Sequence, residues 1–305
     1  MRSRSSTLLA KARGHPRLFG RPPSPVPGWG CRFGLAAACA AFHLSALAQL
    51  KVVPQAEPQR LFAGKARKVV VTVHNSDSKP LEADLRSRLF QTTSATAVLL
   101  SDTPWKRLQV LGQQTVIESA PLTLPPIAAP TRFLVHWAEG ATNVIGKTEL
   151  LVYPVGLLKD LKPMLGESPL GVLDPNAQLK PLLKDLGVEI FDLEESALED
   201  FSGKLLIVGP FQAKAQMRDG LAKQLKHVAE KGGAVVWLMP PPLRPEGLLP
   251  SFYTVREGKG AVVVVEASLI SDLPENPQAQ LNLLQFARLA LHPEPARLPF
   301  LPTDQ

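Results

Sequence analysis

The chain has 305 residues, 45% of them hydrophobic and 20% charged, with a formal net charge of +7; this composition excludes a disordered chain and leaves room for two ordinary domains. The charge is confined to the front: residues 1 to 48 hold seven basic side chains and no acid, and the remaining 27 Lys and Arg balance the 27 Asp and Glu. A neutral body lacks the excess positive charge on which counterion release depends, so no nucleic-acid partner is expected.

The leader carries Arg2, Arg4, Lys11, Arg13, Arg17, Arg21 and Arg32, then the apolar run FGLAAACAAFHLSALA closing on Ala46-Leu47-Ala48. A basic stretch, a short apolar run and a small-x-small close make the pattern of a secretory signal peptide, so residues 1 to 48 are expected to be removed before Gln49. The run falls short of the about 20 residues of a membrane span, and no later segment qualifies. A periplasmic or secreted product with no transmembrane span is expected. The basic stretch is long for a signal, so a start downstream of Met1 or an organellar transit peptide also fits, and Ala-Ala-Ala-Cys39 resembles a lipidation site. Cys31 and Cys39 are the only cysteines, so the trimmed chain is expected to have no disulfide, no thiolate nucleophile and no Cys-liganded metal.

Residues 49 to 153 read as all-β. Runs at 65 to 75, 81 to 91, 105 to 111, 114 to 125, 131 to 140 and 145 to 154 are rich in β-branched and aromatic residues, and Val69, Val71 and Val73 alternate with Val70, Thr72 and His74. Turn signals at Asn75-Ser76-Asp77-Ser78, Ser101-Asp102-Thr103-Pro104 and Leu111-Gly112 separate them. About seven short strands at this spacing predict a β-sandwich. On VVVTVHNSDSKPLEADLR and GQQTVIES, the segment resembles the cysteine-free immunoglobulin-like modules of secreted glycosidases and other extracytoplasmic proteins.

Residues 154 to 168 are expected as a linker, with Pro154, Gly156, Pro163 and Gly166 around a short helical stretch, LLKDLKPML. Beyond it the period changes. Strands are expected at 169 to 174, 188 to 193, 204 to 210, 234 to 239 and 261 to 267. A short helix is expected on Leu179, Leu182, Leu183 and Leu186, one over 212 to 231 with Met217, Leu221, Leu225 and Val228 on one face, and one over 276 to 291 opened by Asn276 and Pro277. Strands alternating with helices, several of them continuously apolar, predict a three-layer α/β domain over 169 to 292 with a mostly parallel sheet, followed by a tail over 293 to 305. Ligands of such sheets bind beyond the carboxyl ends of the strands. Asp174, Gln212 and Glu266 are the candidate crevice residues there, and for Asp174 a helix cap before Pro175 is the competing role.

The stretch FSGKLLIVGPFQAKAQMRDGLAKQLKHVAEKGGAVVWLMPP, with GKGAVVVVEASL and NPQAQLNLLQFARLAL after it, resembles the class I glutamine amidotransferase-like fold, in the variant found as an accessory domain of secreted β-galactosidases. The resemblance covers about residues 168 to 292. It implies a nucleophile turn at Met239 and Pro240, where neither residue is a nucleophile. Pro240, Pro241 and Pro242 lack the N–H groups an oxyanion hole needs and cannot launch the helix of a nucleophile elbow, and His292 has no thiol to activate. A degenerate domain is implied, with no catalytic residue and no cofactor.

The remaining constellations favour structural roles. GATNVIGKT spaces its glycines wrongly for a phosphate loop and sits between two strands, so a hairpin is expected. His74, His136, His227 and His292 lack ligand spacing, so no metal is expected. DLEESALED over 192 to 200 reads as a solvated loop and short helix. Lys65, Arg67, Lys68, Arg86 and Arg88 form a small basic group, and Trp105, Phe133, Trp137 and Tyr153 are core residues that could alternatively stack on sugar. The expected function is a non-catalytic extracytoplasmic binding or scaffolding protein with a protein or carbohydrate partner. The alternatives are a hydrolase using Asp174 or Glu266, and a structural subunit of a cell-envelope complex.

Overall fold

The computed structural model describes residues 50–194, 196–240 and 251–293, which fall within one compact unit. Its first part is built from eight strands: β1 (Leu50–Val52), β2 (Gln59–Phe62), β3 (Ala66–Asn75), β4 (Leu81–Thr92), β5 (Ala97–Val110), β6 (Thr115–Thr123), β7 (Thr131–Glu139) and β8 (Asn143–Tyr153). They form a three-stranded sheet, β1-β3-β6, and a five-stranded sheet, β2-β8-β7-β4-β5. All pairs are antiparallel except β2 with β8. The period of two decides which side is buried: Val69, Val71 and Val73 of β3 face Leu85 and Leu89 of β4 and Phe133, Val135 and Trp137 of β7 in one shared core. Trp137, fully buried, donates its Nε1–H to Thr148 Oγ1 at 2.9 Å, which satisfies the polar end of the largest side chain there.

Two expectations change here. Ser101 to Pro104, read as a turn, lie inside β5; register shifts between Leu85 and Arg86 and between Leu89 and Phe90 absorb the extra residues. Asp102 is held in the strand by Arg86 Nε and Arg88 Nε, each at 3.0 Å. Strands β1 and β2, of three and four residues, were not anticipated. The other turns form: Asn75 Oδ1 accepts from Asp77 N at 2.9 Å while its amide donates to Lys79 O and Val110 O, and GATNVIGKT spans the β7–β8 hairpin as expected.

The second part is a three-layer arrangement. Strands β9 (Leu170–Leu173), β10 (Ile190–Asp192), β11 (Leu205–Val208), β12 (Ala234–Met239), β13 (Phe252–Glu257) and β14 (Gly260–Glu266) form a sheet in the order β10-β9-β11-β12-β14-β13. Every pair is parallel except β13 with β14. Strand β13, a regular antiparallel edge joined to β14 by a hairpin at Gly258 and Lys259, was not anticipated. Alternating residues of the central strands feed two cores. Leu205, Ile207, Val236, Val263 and Val265 pack with α1 (Leu161–Leu165), α2 (Lys180–Asp185) and α4 (Pro277–Leu291), and Leu206, Val208, Val235, Val262 and Val264 pack with α3 (Leu221–Glu230). Residues buried on both faces explain the unbroken apolar runs of these strands.

The segment expected as a linker is part of this core: Leu158, Leu161 and Leu165, on a 3₁₀ turn and α1, are buried against the sheet. Helix α3 is shorter than the expected 212 to 231. It starts after Gly220, which takes a left-handed φ of 75°, and Met217 packs on the α3-side core from extended backbone. Its end is as expected, with Gly232 N bonded to Ala229 O and Gly233 N to Val228 O. Helix α4 begins where expected, and Asn276 Oδ1 accepts from Gln278 N and Ala279 N. No helix among the described residues is long and apolar enough to cross a membrane.

Candidate functional site

From β9 the chain moves outward to β10 and then returns across β9 to β11. The loops leaving β9 and β11 therefore diverge, and this reversal is where a doubly wound sheet opens a crevice. The crevice residues are Asp174 and Asn176 after β9 and Gly209 to Gln216 after β11. Gly209 has φ 97°, and a Cβ there would stand 2.6 Å from Leu238 O, so only glycine lets this loop pass so close to β12.

Asp174 is 1% exposed. Its Oδ2 accepts from Leu179 N at 2.6 Å and Lys180 N at 2.9 Å. The competing role, a helix cap, is the one the geometry gives it, although the capped turn is that of α2, five residues on, and not the one at Pro175. Its Oδ1 is buried without a hydrogen-bond partner. Lys180 continues the cluster: its stem is buried and its Nζ meets Asp192 Oδ1 at 2.8 Å and Glu194 Oε1 at 2.6 Å. Desolvation works to lower the Lys180 pKa, but the hydrogen bonds and charges of the two carboxylates outweigh it and the net shift is upward. The same hydrogen bond from Lys180, with one from the backbone of Glu194, holds Asp192 below the usual carboxylate value.

Gln212 is exposed, and its backbone, not its side chain, is engaged: its N–H donates to Gln216 Oε1 at 2.7 Å. Gln216 Nε2 donates to Asn176 Oδ1 at 3.0 Å, and Asn176 Nδ2 to Pro210 O at 2.8 Å. Two side-chain amides thus lace the diverging loops together across the reversal point. Glu266, at the end of β14, is also bonded: Oε1 accepts from Ser268 Oγ at 2.8 Å and Oε2 from Ser251 N at 3.3 Å. The three candidates do not converge. Strands β9 and β14 have β11 and β12 between them, a separation of about 14 Å at ~4.8 Å per strand.

Met239 ends β12 opposite Glu266 in register, and Pro240 is buried; Pro241 and Pro242 lie outside the described residues. Beside the crevice, a groove of about 540 Å³ runs between α2 and the loop after β14, lined by Ala177, Pro181, Leu182, Asp185, Asp272 and Leu273. Asp174, Gln212 and Glu266 do not line it.

Asn176, Lys180 and Gln216 were not singled out from the sequence. For Lys180 a signal existed: a lysine at the start of a leucine-patterned helix, with the acid run DLEE beginning twelve residues on. No cluster of His, Cys, Asp or Glu able to hold a metal occurs among the described residues. The expected basic group is divided: Arg67 pairs with Glu275, and Arg86 and Arg88 share Asp102. Phe133, Trp137 and Tyr153 are buried, and Trp105 packs on Trp137 at a centroid distance of 5.0 Å, so these rings are not an open sugar platform.

No family model matches the chain, and no curated protein matches it. Among solved structures, partial likenesses include the Pseudomonas fluorescens alkylpurine DNA glycosylase AlkC bound to DNA with an abasic site analog (13% identity, 35% of this chain, 31% of that chain, TM-score 0.28). Others are the β-glucosidase EmGH1 of Erythrobacter marinus (11%, 34%, 15%, 0.25) and the β-glucosidase of Listeria innocua with isofagomine (15%, 34%, 16%, 0.25). The chain spans about a third or less of each of these proteins, and likenesses this slight assign neither fold nor activity.

Proposed function

We propose that this chain is a non-catalytic, extracytoplasmic binding or scaffolding protein. In this reading the two-sheet part is an immunoglobulin-like module, and the three-layer part is a degenerate glutamine amidotransferase-like domain that has kept its sheet and lost its chemistry. The observation that carries the reading is the buried Asp174 carboxylate, committed to the first turn of α2, in a crevice whose loops are tied by Asn176 and Gln216. A catalytic group must be reachable by substrate. Asp174 is closed off, and Glu266 is bonded on both oxygens.

The hydrolase alternative needs two carboxyl groups about 5 to 10 Å apart. Asp174 and Glu266 stand on strands about 14 Å apart, and by strand alternation they point to opposite faces of the sheet. Phe133, Trp137 and Tyr153 are buried and do not serve as stacking rings for a glycan, which favours a protein partner. Localisation outside the cytoplasm rests on the leader sequence, and intact-mass measurement of the natural product tests it, cleavage after Ala48 being expected. Incubation of the purified protein with glutamine, aryl esters and aryl glycosides tests the rest: no turnover is expected, and any turnover abolished by Asp174→Ala or Glu266→Gln overturns the reading.

A further inference from the structure

Sheet edges expose unpaired backbone groups, and proteins protect them with bulges, charges, prolines or brevity. In the three-layer part, β10 is protected by its length of three residues. In the two-sheet part, β5 carries exposed Val98, Leu99 and Leu100, but it is bulged twice against β4 and contains Asp102 and Pro104. Among the described residues, strand β13 is neither short, bulged nor covered by a further strand. Its six residues, FYTVRE, pair with β14 from Phe252–Val265 to Glu257–Gly260 without a register shift. The strand contains no proline, and its two charges lie at one end. Phe252, Tyr253 and Val255 are 47%, 58% and 37% exposed, and no described strand lies on its outer side.

We propose that this edge is a docking surface for a second copy of the chain, with β13 pairing antiparallel to β13 of the other copy about a two-fold axis through Thr254. The self-complementarity of the strand points to this occupant. Two identical antiparallel strands are related by an axis perpendicular to the sheet, so a residue faces its own counterpart at the axis and side chains opposite one another share a face. With Thr254 on the axis, Tyr253 meets Val255 of the other copy on the α3 face, and the reverse pair forms by symmetry. On the α4 face Thr254 meets Thr254 and Phe252 meets Arg256. Aromatic with β-branched, threonine with threonine and ring with guanidinium are all favourable cross-strand partners, and no like charges oppose. The α4 face is already ordered for this: the Phe252 ring packs 5.0 Å from that of Phe286, and Arg256 donates to Pro293 O. The paired sheet runs continuously through both copies. A contact centred on one strand is smaller than the about 1,200 Å² of a stable interface, so a reversible dimer with a Kd of ~1–100 μM is expected.

Sedimentation of the full chain from about 1 to 200 μM, bracketing that range, is expected to show the mass rising toward twice that of the monomer. Tyr253→Lys with Val255→Lys sets lysines opposite each other, and Tyr253→Glu with Val255→Glu does the same with glutamates. Each double variant alone is expected to stay monomeric with unchanged far-UV circular dichroism, and an equimolar mixture of the two is expected to dimerise again, which a misfolded chain would not do. In a chain with Cys31→Ser and Cys39→Ser, Thr254→Cys is expected to form an intermolecular disulfide under mild oxidation, because residues facing each other across the axis stand ~4.5–5.5 Å apart at Cα, within disulfide reach; Tyr253→Cys, which faces Val255, is not. Val98→Lys on β5 is expected to leave association unchanged. A wild type monomeric throughout, persistent dimers of either double variant, a mixture that fails to associate, or dissociation by Val98→Lys would each overturn the proposal.

Discussion

Replacing Asp174 separates a structural carboxylate from a functional one. In Asp174→Ala, the N–H groups of Leu179 and Lys180 lose acceptors at 2.6 and 2.9 Å in a place too buried for water to substitute freely. Stranding a buried donor costs about 1–3 kcal/mol, and loss of a helix-capping oxygen about 0.5–2 kcal/mol. Removing Oδ1, which is itself buried without a partner, returns part of this, so a net loss of ~2–3 kcal/mol is expected from the lower ends of those ranges. At roughly 2–4 °C per kcal/mol for a chain of this size, Tm should fall by about 5–10 °C. Asp174→Asn keeps one accepting oxygen and should lose about 1 kcal/mol. Equilibrium urea unfolding followed by circular dichroism reads both, with the slope m unchanged. Carboxylates held in place for chemistry commonly cost stability, so their removal stabilises. An Asp174→Ala protein as stable as the wild type, or more so, would refute the structural assignment and reopen the crevice as a site.

Lys180→Met leaves Asp192 and Glu194 without their shared cation. The raised Lys180 pKa means its share of the stabilisation is complete below the unfolded lysine value of about 10.4 and is lost as pH rises through the folded one; the depressed Asp192 pKa means its share is present above about 3.9 and is lost as pH falls through its lower folded value. The stability difference between wild type and Lys180→Met should therefore be flat across neutral pH and shrink in acid, which urea titrations at stepped pH will show. Arg67→Met removes the partner of Glu275 and the donor to Phe62 O at 3.2 Å; with the arginine side chain 10% exposed and Glu275 half exposed, a loss of about 1–2 kcal/mol is expected, and Glu275→Gln should cost less. Thr148→Val keeps the shape but removes the acceptor for Trp137 Nε1, and should cost about 1–2 kcal/mol and shift the tryptophan emission.

What the sequence revealed and what it hid follow from the range of the forces involved. Strand β12 was legible to the residue, because six apolar residues buried on both faces between Gly233 and Pro240 admit little else. The start of α4 was legible because Asn276 and Pro277 act on N–H groups two and three residues away. The interior of β5 was misread because Ser101-Asp102-Thr103-Pro104 is a strong local turn signal; two arginines from β4, fourteen and sixteen residues distant, keep it extended. Asp174 directly follows β9 and Glu266 ends β14, while Gln212 lies four residues beyond β11; the contacts of Asp174 and Gln212 depend on Leu179, Asn176 and Gln216, which only the folded loops bring near. Strand β13 escaped notice because its pairing is with a strand that follows it, while its outward face leaves no alternation to read: five of its six residues are exposed.

The carboxyl-end crevice and the lateral edge of the sheet have a common physical reading. At the carboxyl ends of the parallel strands, polar side chains are turned to internal use: one carboxylate caps a helix, one is bonded by a serine and a backbone amide, and two amides close the gap between diverging loops. Such a crevice gains rigidity and loses access. At the lateral edge the reverse holds. An enzyme of this layout would be expected to keep its crevice open and its outer strand short or charged. Among the described residues the crevice groups are engaged internally and the lateral strand is regular and aromatic, and the proposed contact with another polypeptide rests on that distribution.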